Sequence, residues 1–304
     1  MSRSIVVTGA AGFIGSWTIK QLLENGWTVT AFDRTPDDSK LRSIAGDGPA
    51  DAVTWRAGDI AEPDDVNALF RAAAPEMVIH LAAVLIPVCR DDPVTGARID
   101  VIGHINIFEA AADAGCHHVV YASSAAATAR GNNGALKTVY GTYKHWNEEY
   151  AATRLHDRGI ASVGLRPAIV YGPGRESGAT AFVNDAIAAA VAGEDYLLPT
   201  RWCHRVEYVE EVAETFVRCA ETEIRGAHAS DITENLTDEH DLIAALQSAI
   251  PGCRITAPTQ GKPGSPGTAD CSPLAGLIGP LNHISLNAGV VATVVGMRAR
   301  APGT

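Results

Sequence analysis

The amino-acid sequence predicts an α/β protein: a doubly wound parallel sheet followed by a smaller C-terminal lobe. Short β-branched runs alternate with helical patterns over roughly the first 170 residues. Apolar and polar residues do not alternate in these strand runs, which are apolar throughout, as in strands buried on both faces. A glycine-rich turn also joins the first strand to the first helix. We therefore expect one domain over residues 1–172 and a second lobe over residues 173–304, with some of its segments returning to the sheet.

The individual elements follow from periodicity and end signals. Pro63, Asp64 and Asp65 begin one helix, because proline suits the first turn and carboxylates favour the positive helix end. The pattern loosens after residue 174, and residues 258–283 hold five prolines and five glycines. This segment is predicted as a long loop that either caps a site or only connects. Strands are predicted over residues 5–8, 27–33, 53–55, 77–81, 119–122 and 162–166, and helices from the glycine turn to residue 25 and over 63–74, 95–114, 140–158, 179–192, 209–221, 238–250 and 284–298.

Composition excludes several classes of protein. The 304 residues are 46% hydrophobic and 19% charged, which is typical of a globular chain. Acidic residues outnumber basic ones by 35 to 24, so the net charge of -11 disfavours nucleic-acid binding. No apolar stretch reaches the ~18–20 residues of a membrane span, and no signal peptide is recognised. The six cysteines are scattered without a CxxC pair, so we expect a cytoplasmic protein with free thiols and no metal site.

The glycine-rich turn has the sequence Thr8-Gly9-Ala10-Ala11-Gly12-Phe13-Ile14-Gly15. Glycines in such a turn permit a tight bend, close approach of the backbone to a pyrophosphate, and tight packing of the helix on the strand. The N–H groups and dipole at the helix start would hold the phosphate charge. The position of the turn between a strand and a helix therefore predicts a dinucleotide site.

Asp33 ends the second predicted strand and indicates which dinucleotide binds. Its carboxylate can accept hydrogen bonds from the adenosine ribose hydroxyls. An acid at this place disfavours a 2′-phosphate, so NAD is predicted in preference to NADP. The neighbouring Arg34 keeps NADP open, because an arginine could accommodate that phosphate.

A second group of residues, Ser124, Tyr140 and Lys144, has the composition of a proton-transfer site. Tyr140 and Lys144 lie one turn apart on one face of a predicted helix. A tyrosine with a pKa near 10 is a poor base, but a lysine ammonium together with a positive nicotinamide would lower that pKa. Ser124 follows the fifth strand, at the sheet edge where ligands collect. We predict that Ser124 holds the substrate oxygen while Tyr140 moves the proton.

These motifs resemble those of the extended short-chain dehydrogenase/reductases, the NAD-dependent epimerase/dehydratase family. Further matching pieces are residues 58–60, 80–83, 121–124, 165–167, 170–174 and 208–212, so the resemblance covers most of residues 4–215. It implies a Rossmann domain, a C-terminal substrate-binding lobe, NAD as cofactor, a small-molecule substrate and a homodimer formed through paired helices.

The resemblance also assigns roles to single residues. It implies adenine contacts at Asp59 and Ile60, nicotinamide-side contacts around Ala82 and Pro167, and binding of the nicotinamide ribose by Lys144. His80, at a buried strand end, is interpreted as structural. The predicted cofactor-binding residues are Gly9, Gly12, Phe13, Ile14, Gly15, Asp33, Arg34, Asp59, Ile60, Leu81, Ala82, Ala83, Tyr140, Lys144 and Pro167.

Three positions depart from the pattern of many nucleotide-sugar members of the family. Asp100 stands where an asparagine is common, Ile169 stands near a second asparagine, and His204 stands where an arginine binds the diphosphate. We therefore expect an NAD-dependent dehydrogenase or reductase acting on a secondary alcohol or ketone of a small polar substrate, such as a sugar, a sugar acid or a hydroxy acid.

Two alternatives stay open. One is a nucleotide-sugar epimerase or dehydratase that keeps NAD tightly bound, and the other is a non-catalytic NAD(P)-sensing protein on the same fold. The second is disfavoured because both the tyrosine and the lysine are present. Arg90 and Arg175 lie in segments that line the substrate side in relatives, and either could pair with a substrate carboxylate. The alternative for both is an exposed surface arginine.

Overall fold

The computed structural model describes residues 3–131, 133–178, 180–261 and 267–300. Its strands are β1 Ser4–Thr8, β2 Thr28–Asp33, β3 Thr54–Ala57, β4 Met77–His80, β5 His118–Ala122, β6 Ala161–Arg166, β7 Ile169–Tyr171, β8 Asp195–Leu197, β9 Cys203–Tyr208, β10 Ala227–Asp231, β11 Leu236–Asp238 and β12 Arg254–Thr256. Its α-helices are α1 Phe13–Glu24, α2 Ser39–Ala45, α3 Asp47–Asp51, α4 Pro63–Ala73, α5 Ile86–Asp91, α6 Pro93–Ala97, α7 Gly103–Ala114, α8 Val139–Arg158, α9 Phe182–Ala192, α10 Val209–Glu221, α11 Glu239–Ala249, α12 Ser272–Ile278 and α13 Leu286–Arg300.

The chain divides into two compact units. The first comprises Met1–Pro167, Ala213–Ile232 and Asp270–Leu281, and the second comprises Ala168–Val212, Thr233–Ala269 and Asn282–Thr304. That the second unit binds substrate stays a prediction.

The first unit is built on a seven-stranded sheet in the order β10-β6-β5-β4-β1-β2-β3. Every neighbouring pair in this sheet is parallel. The predicted parallel, Rossmann-like α/β fold is therefore confirmed. Val6, Val78 and Val119, on three neighbouring strands, are fully buried, as expected for strands covered by helices. Helices α1, α4, α7 and α8 pack against the sheet.

The second unit holds two small sheets and a core of its own. Strands β11, β9 and β7 form one sheet, in which β7 and β9 run parallel and β11 is antiparallel to β9. Strands β12 and β8 form a parallel pair. Helices α9, α11 and α13 pack together beside them. The core includes Tyr171, Ile187, Trp202, Leu246 and Val290.

The structure differs from the sequence prediction mainly in short elements. Helices α2, α3 and α5 and the strands of the second unit carry too little periodicity to be predicted. The predicted helix over residues 95–114 is interrupted by a π-helical turn, Arg98–Ile102. Helix α12 lies inside the predicted loop 258–283, of which residues 262–266 fall outside the described part of the chain. Because prolines and glycines lie at the ends of α12, the composition of this segment predicted a loop and not a helix.

Two findings bear on the predicted partners. None of the helices in the described part of the chain is long and apolar enough to cross a membrane. Among the same residues, no group of three or more His, Cys, Asp or Glu side chains is arranged to hold a metal ion.

Candidate active site

The glycine-rich turn between β1 and α1 takes a conformation that depends on its glycines. Gly9 has a φ of +67°, and a Cβ at this residue would lie 2.7 Å from the backbone N of Ala82. At Gly15 a Cβ would collide with the carbonyl oxygen of Gly9. The backbone N–H of Ala11 donates to Oδ2 of Asp33 at 3.1 Å, which ties the turn to the end of β2. The turn therefore packs directly against the chain that leaves β4.

A cleft of about 220 Å³ opens beside this turn. It lies by the carboxyl ends of β1, β2 and β4, where the strand order reverses and where open α/β sheets bind ligands. Small residues leave the backbone of the turn exposed to the cleft, and Asp33 places a carboxylate in its wall. These features fit a dinucleotide. The cleft is lined by Gly9, Gly12, Phe32, Asp33, Arg34, Gly58, Asp59, Ile60, Leu81, Ala82, Ala83, Val84 and Ile99.

Most of the predicted cofactor residues thus meet in one place. Phe13, Ile14 and Gly15 form the first turn of α1 behind the glycine turn. The carbonyl of Pro167 accepts from the backbone N–H of Ala125 at 3.1 Å, so it adjoins the chain that follows Ser124. Val84 and Ile99 line the cleft without having been predicted. Val84 could have been found as the residue after the predicted run 81–83, whereas Ile99 had no local signal.

The three predicted catalytic residues are brought together by β5 and α8. Ser124 caps the short 3₁₀ turn after β5, and its Oγ accepts from the backbone N–H of Ala126 at 3.1 Å. Tyr140 and Lys144 lie in the first two turns of α8. The Lys144 Nζ donates to the carbonyl of Ala122 at 2.9 Å and lies 5.6 Å from the centroid of the Tyr140 ring.

The electrostatics of this cluster depend on burial. Tyr140 and Lys144 are both buried. Burial raises the pKa of Tyr140, Asp100 raises it further, and a hydrogen bond from Ser124 opposes the rise. Burial lowers the pKa of Lys144, and Asp100 opposes that change. The expectation that Lys144 and the positive nicotinamide together lower the pKa of Tyr140 stays a prediction. Among the groups of the chain itself, burial is the largest influence, and it raises that pKa.

Asp100 also lies in this region. In the sequence, this residue stands out only because many relatives have an asparagine at this position. Its Oδ1 accepts from the backbone N–H of Val84 at 2.8 Å, and its Oδ2 lies 3.7 Å from the Sγ of Cys89. The side-chain amide of Asn147, on α8, donates to the carbonyl of Asp100 at 2.9 Å. Nothing in the local pattern indicated this position, because the π-helical turn shifts the register of the helix.

The remaining predicted residues have separate surroundings. The Arg90 Nε donates to Oδ1 of Asp91 at 2.7 Å, and the Arg90 side chain is 70% exposed. Arg175, in the second unit, donates to the carbonyl of Val170 and to Oγ1 of Thr180. The Nδ1 of His80 lies 2.7 Å from Oγ1 of Thr8. Burial, aided by Lys144, lowers the pKa of His80 to about 3, as for a neutral histidine in a core.

Comparison with known proteins gives relatives over part or most of the chain. UDP-glucose 4-epimerase of Pisum sativum is 32% identical over 130 residues, which are 41% of this chain and 37% of that protein. Cinnamoyl-CoA reductase 1 of Petunia hybrida is 32% identical over 190 residues, 56% of this chain and 55% of that protein. These matches span about a third to a half of the relatives' length. UDP-glucose 4-epimerase of Mycolicibacterium smegmatis is 27% identical over 271 residues, 81% of this chain and 82% of that protein.

Solved structures share the fold. The UDP-glucose 4-epimerase of Thermotoga maritima with UDP-glucose superimposes with a TM-score of 0.83 at 22% identity, over 97% of this chain and 99% of that chain. The Thermus thermophilus UDP-glucose 4-epimerase complex with NAD superimposes with a TM-score of 0.77 at 24% identity, over 98% of this chain and 100% of that chain.

The model of the NAD dependent epimerase/dehydratase family matches residues 5–232. With its parallel sheet, its glycine turn and the cleft beside that turn, this chain belongs to the NAD dependent epimerase/dehydratase family, whose cofactor is NAD.

Proposed function

We propose that the chain catalyses the epimerisation or dehydration of a nucleotide sugar through a transient keto intermediate, with NAD reduced and reoxidised within one turnover. The observation that carries the proposal is the similarity to UDP-glucose 4-epimerases, one of which aligns over 81% of this chain. Because the alignment extends well past the residues that line the cleft, it supports a similar reaction and not only a similar cofactor.

In this proposal the cluster beside the cleft performs the proton chemistry. The Tyr140 Oη takes the proton of the substrate hydroxyl and later returns it, and the Ser124 hydroxyl holds the same oxygen. Lys144 binds the nicotinamide ribose, and its ammonium stabilises the phenolate as the proton leaves. NAD, when bound, supplies the acceptor and donor of the hydride.

The cleft residues bind the cofactor by complementary chemistry. The backbone of the turn around Gly9 and Gly12, with the start of α1, holds the pyrophosphate. Asp33 accepts from the adenosine ribose hydroxyls, which favours NAD over NADP. Asp59 and Ile60 contact the adenine, and Ala82 and Pro167 contact the nicotinamide side.

A second candidate is the dehydrogenase or reductase predicted from the sequence. It is favoured by Asp100, Ile169 and His204, which replace polar or cationic groups common in nucleotide-sugar enzymes. Ile169 is buried and has no hydrogen-bonding side chain. The match to cinnamoyl-CoA reductase 1 also agrees with a net redox reaction. Arg90 or Arg175 would then bind a substrate carboxylate, and a homodimer stays a prediction for either candidate.

Release of the bound nucleotide separates the two candidates without a substrate. The purified protein would be desalted, denatured with acid, and the released nicotinamide nucleotide identified and quantified. Near-stoichiometric NAD, followed by interconversion of UDP-glucose and UDP-galactose, would support the epimerase. A protein that releases none and binds added NAD reversibly would support the dehydrogenase and direct a screen of sugars and hydroxy acids for NADH formation.

Replacing Tyr140 with phenylalanine tests the proposed acid/base. We expect Tyr140→Phe to lower turnover by at least about 100-fold while NAD binding persists, since general acid–base catalysis contributes about that much or more. The matched control is Tyr143→Phe, three residues along the same helix, where only the hydrogen bond to the Pro93 carbonyl is lost. Turnover that survives in Tyr140→Phe would place the proton transfer elsewhere.

A further inference from the structure

The inference concerns a largely buried ion pair at the carboxyl edge of the parallel sheet. Glu148 lies on α8, and Arg166 is the last residue of β6. The Arg166 Nε donates to Oε1 of Glu148 at 2.8 Å, and the Arg166 Nη2 donates to Oε2 at 2.7 Å. The Glu148 side chain is 8% exposed and that of Arg166 is 15% exposed. A two-point contact of this kind fixes the direction of the carboxylate as well as its place.

The Glu148 carboxylate also accepts a hydrogen bond from the residue directly before Ser124. The hydroxyl of Ser123 donates to Oε1 of Glu148. Ser123 is 2% exposed, so little water can reach this hydroxyl to replace the glutamate. A carboxylate has no hydrogen to donate, so the direction of the hydrogen bond is fixed. The orientation of Ser123 therefore depends on Glu148.

Helix α8 also contacts the chain on both sides of Ser124. Before it, the Lys144 Nζ donates to the carbonyl of Ala122 at 2.9 Å. After it, a Cβ at Gly141 would collide with the carbonyl oxygen of Ala126, so the two backbones lie in close contact there. The ion pair adds a third contact, at the residue whose backbone leads directly into Ser124.

The other side of the Arg166 guanidinium faces a second carboxylate. The Arg166 Nη1 lies 3.8 Å from Oδ2 of Asp231, which ends the neighbouring strand β10 and has a side chain 3% exposed. The same Oδ2 accepts from the backbone N–H of Asp270 at 3.0 Å. Arg166 thus lies between two buried carboxylates. Because movement of the guanidinium would leave a buried charge unpaired, Arg166 keeps Glu148 in place.

Buried ion pairs contribute little net stability, so stability alone does not explain this arrangement. We propose that Glu148 is a positioning residue for Ser124: anchored by Arg166, its carboxylate fixes the Ser123 hydroxyl and so holds the Ser124 hydroxyl where it meets the substrate oxygen. Glu148 acts through Ser123 and moves no proton itself. The contact of Ser124 with substrate rests on the proposed function, whereas the fixing of the chain around Ser124 does not.

Two substitutions remove this contact in different ways. Ser123→Ala deletes the hydroxyl and leaves the ion pair intact, so it keeps the proposal testable if the second variant does not fold. Glu148→Gln removes the charge and one of the two oxygens that Arg166 contacts. The matched control is Glu109→Gln, which breaks the 2.8 Å ion pair between Glu109 and Arg154, further along the same helix α8.

The first test is amide hydrogen exchange, which needs no substrate. In the unaltered protein the backbone N–H of Ala126 donates to the Ser124 Oγ, and that of Ala125 donates to the Pro167 carbonyl. We expect Ser123→Ala and Glu148→Gln to exchange the amide hydrogens of residues 125–127 at least about tenfold faster, while residues 118–121 of β5 keep their rates. The control variant should leave both segments unchanged. Unchanged exchange at residues 125–127, or an equal acceleration of both segments, would overturn the proposal.

The second test measures kcat with the sugar nucleotide that the enzyme turns over. Because a misplacement of about 1 Å can cost about 100-fold in rate, we expect Ser123→Ala and Glu148→Gln to lower kcat at least about tenfold, with the Kd for NAD unchanged. In a Ser124→Ala background the same substitutions should lower kcat less than about twofold, since the hydroxyl that they position is already absent. Losses of kcat that multiply in the double variants would show a merely structural role and overturn the proposal.

The two tests separate this proposal from the proposed function. A protein that turns over no sugar nucleotide would contradict the proposed function, and the exchange rates of residues 125–127 would then decide the positioning by themselves. Normal turnover in Ser123→Ala and Glu148→Gln, with unchanged exchange, would overturn the positioning and leave the proposed function in place.

Discussion

At the scale of single residues, the cleft beside the glycine turn depends on positions where a side chain cannot be added. Gly9 combines a φ of +67° with backbone atoms of Leu81 and Ala82 less than 3 Å from the place of a Cβ. Gly26 has a similar φ of +77°, but nothing lies within 4 Å of its Cβ position. Alanine substitutions at these two glycines therefore separate the free-energy cost of a left-handed backbone from the cost of a steric collision at the added Cβ.

We expect Gly9→Ala to lower stability more than Gly26→Ala and to weaken NAD binding by at least about tenfold. Both alanines bear a left-handed strain of about 1–2 kcal/mol, but only the alanine at position 9 must displace the chain after β4. Thermal melts and titration with NAD would measure the two effects. Equal losses of stability, with NAD affinity unchanged in both variants, would contradict this account of the turn.

At the scale of elements, helix α8 sets the geometry of the proton-transfer cluster. Thr138 caps its N-terminus, where Oγ1 accepts from the backbone N–H of Gly141 at 2.9 Å. Gly159 ends the helix in the left-handed conformation. Between these caps, Tyr140 and Lys144 lie one turn apart, as their spacing predicts. The first turn of α8 therefore carries Tyr140, and its order depends on the cap.

We expect Thr138→Ala to lower the free energy of unfolding by about 1 kcal/mol, the usual value of a lost N-cap. A frayed first turn would also place Tyr140 less accurately, so kcat should fall while NAD affinity changes little. Thr153→Ala, at an exposed position of the same helix, is the control and should cost nothing, because alanine has the higher helix propensity. Chemical denaturation and steady-state kinetics of both variants would check this, and an unchanged Thr138→Ala would contradict it.

At the scale of the whole molecule, buried histidines couple folding of the first unit to pH. His80, His104 and His118 are all buried, and burial lowers the pKa of each below its ordinary value of 6.5. In the unfolded chain the same residues take up protons near pH 6.5. The unfolded state thus binds more protons below this pH, so stability is full above about 6.5 and is lost as the pH falls.

For His80 the window extends from 6.5 down to about 3. Within it, each such histidine reduces the free energy of unfolding by about 1.4 kcal/mol per pH unit. We expect His80→Gln to have a shallower dependence by about one proton, measured by urea unfolding at pH 7, 6 and 5. His156→Gln is the control, because the His156 side chain is 89% exposed. Identical slopes in all three proteins would show that His80 is not the group responsible.

Much of the first unit could be predicted because its signals are local. The runs before Gly9 and after Met77 are apolar and β-branched, and each became a buried strand of the parallel sheet. The second unit could not be predicted in this detail. Its strands are three to six residues long, and they pair across distant parts of the chain, as β7 does with β9. Short strands of this kind are stabilised by their partners rather than by their own propensity.

The sequence by itself determined the parallel α/β fold of the first unit, the glycine turn with Asp33, and the spacing of Tyr140 and Lys144. These features could be predicted because backbone conformation and helical periodicity act over a few residues. Only the tertiary structure decided that Val84, Cys89 and Asp100 meet, with the Val84 N–H and the Cys89 thiol at the two oxygens of the Asp100 carboxylate. These residues come from the chain after β4 and from an interrupted helix, and they meet through packing against α8. Burial in the folded chain then raises the pKa values of Cys89 and Asp100, because desolvation depends on everything that surrounds a group and not only on its neighbours in sequence.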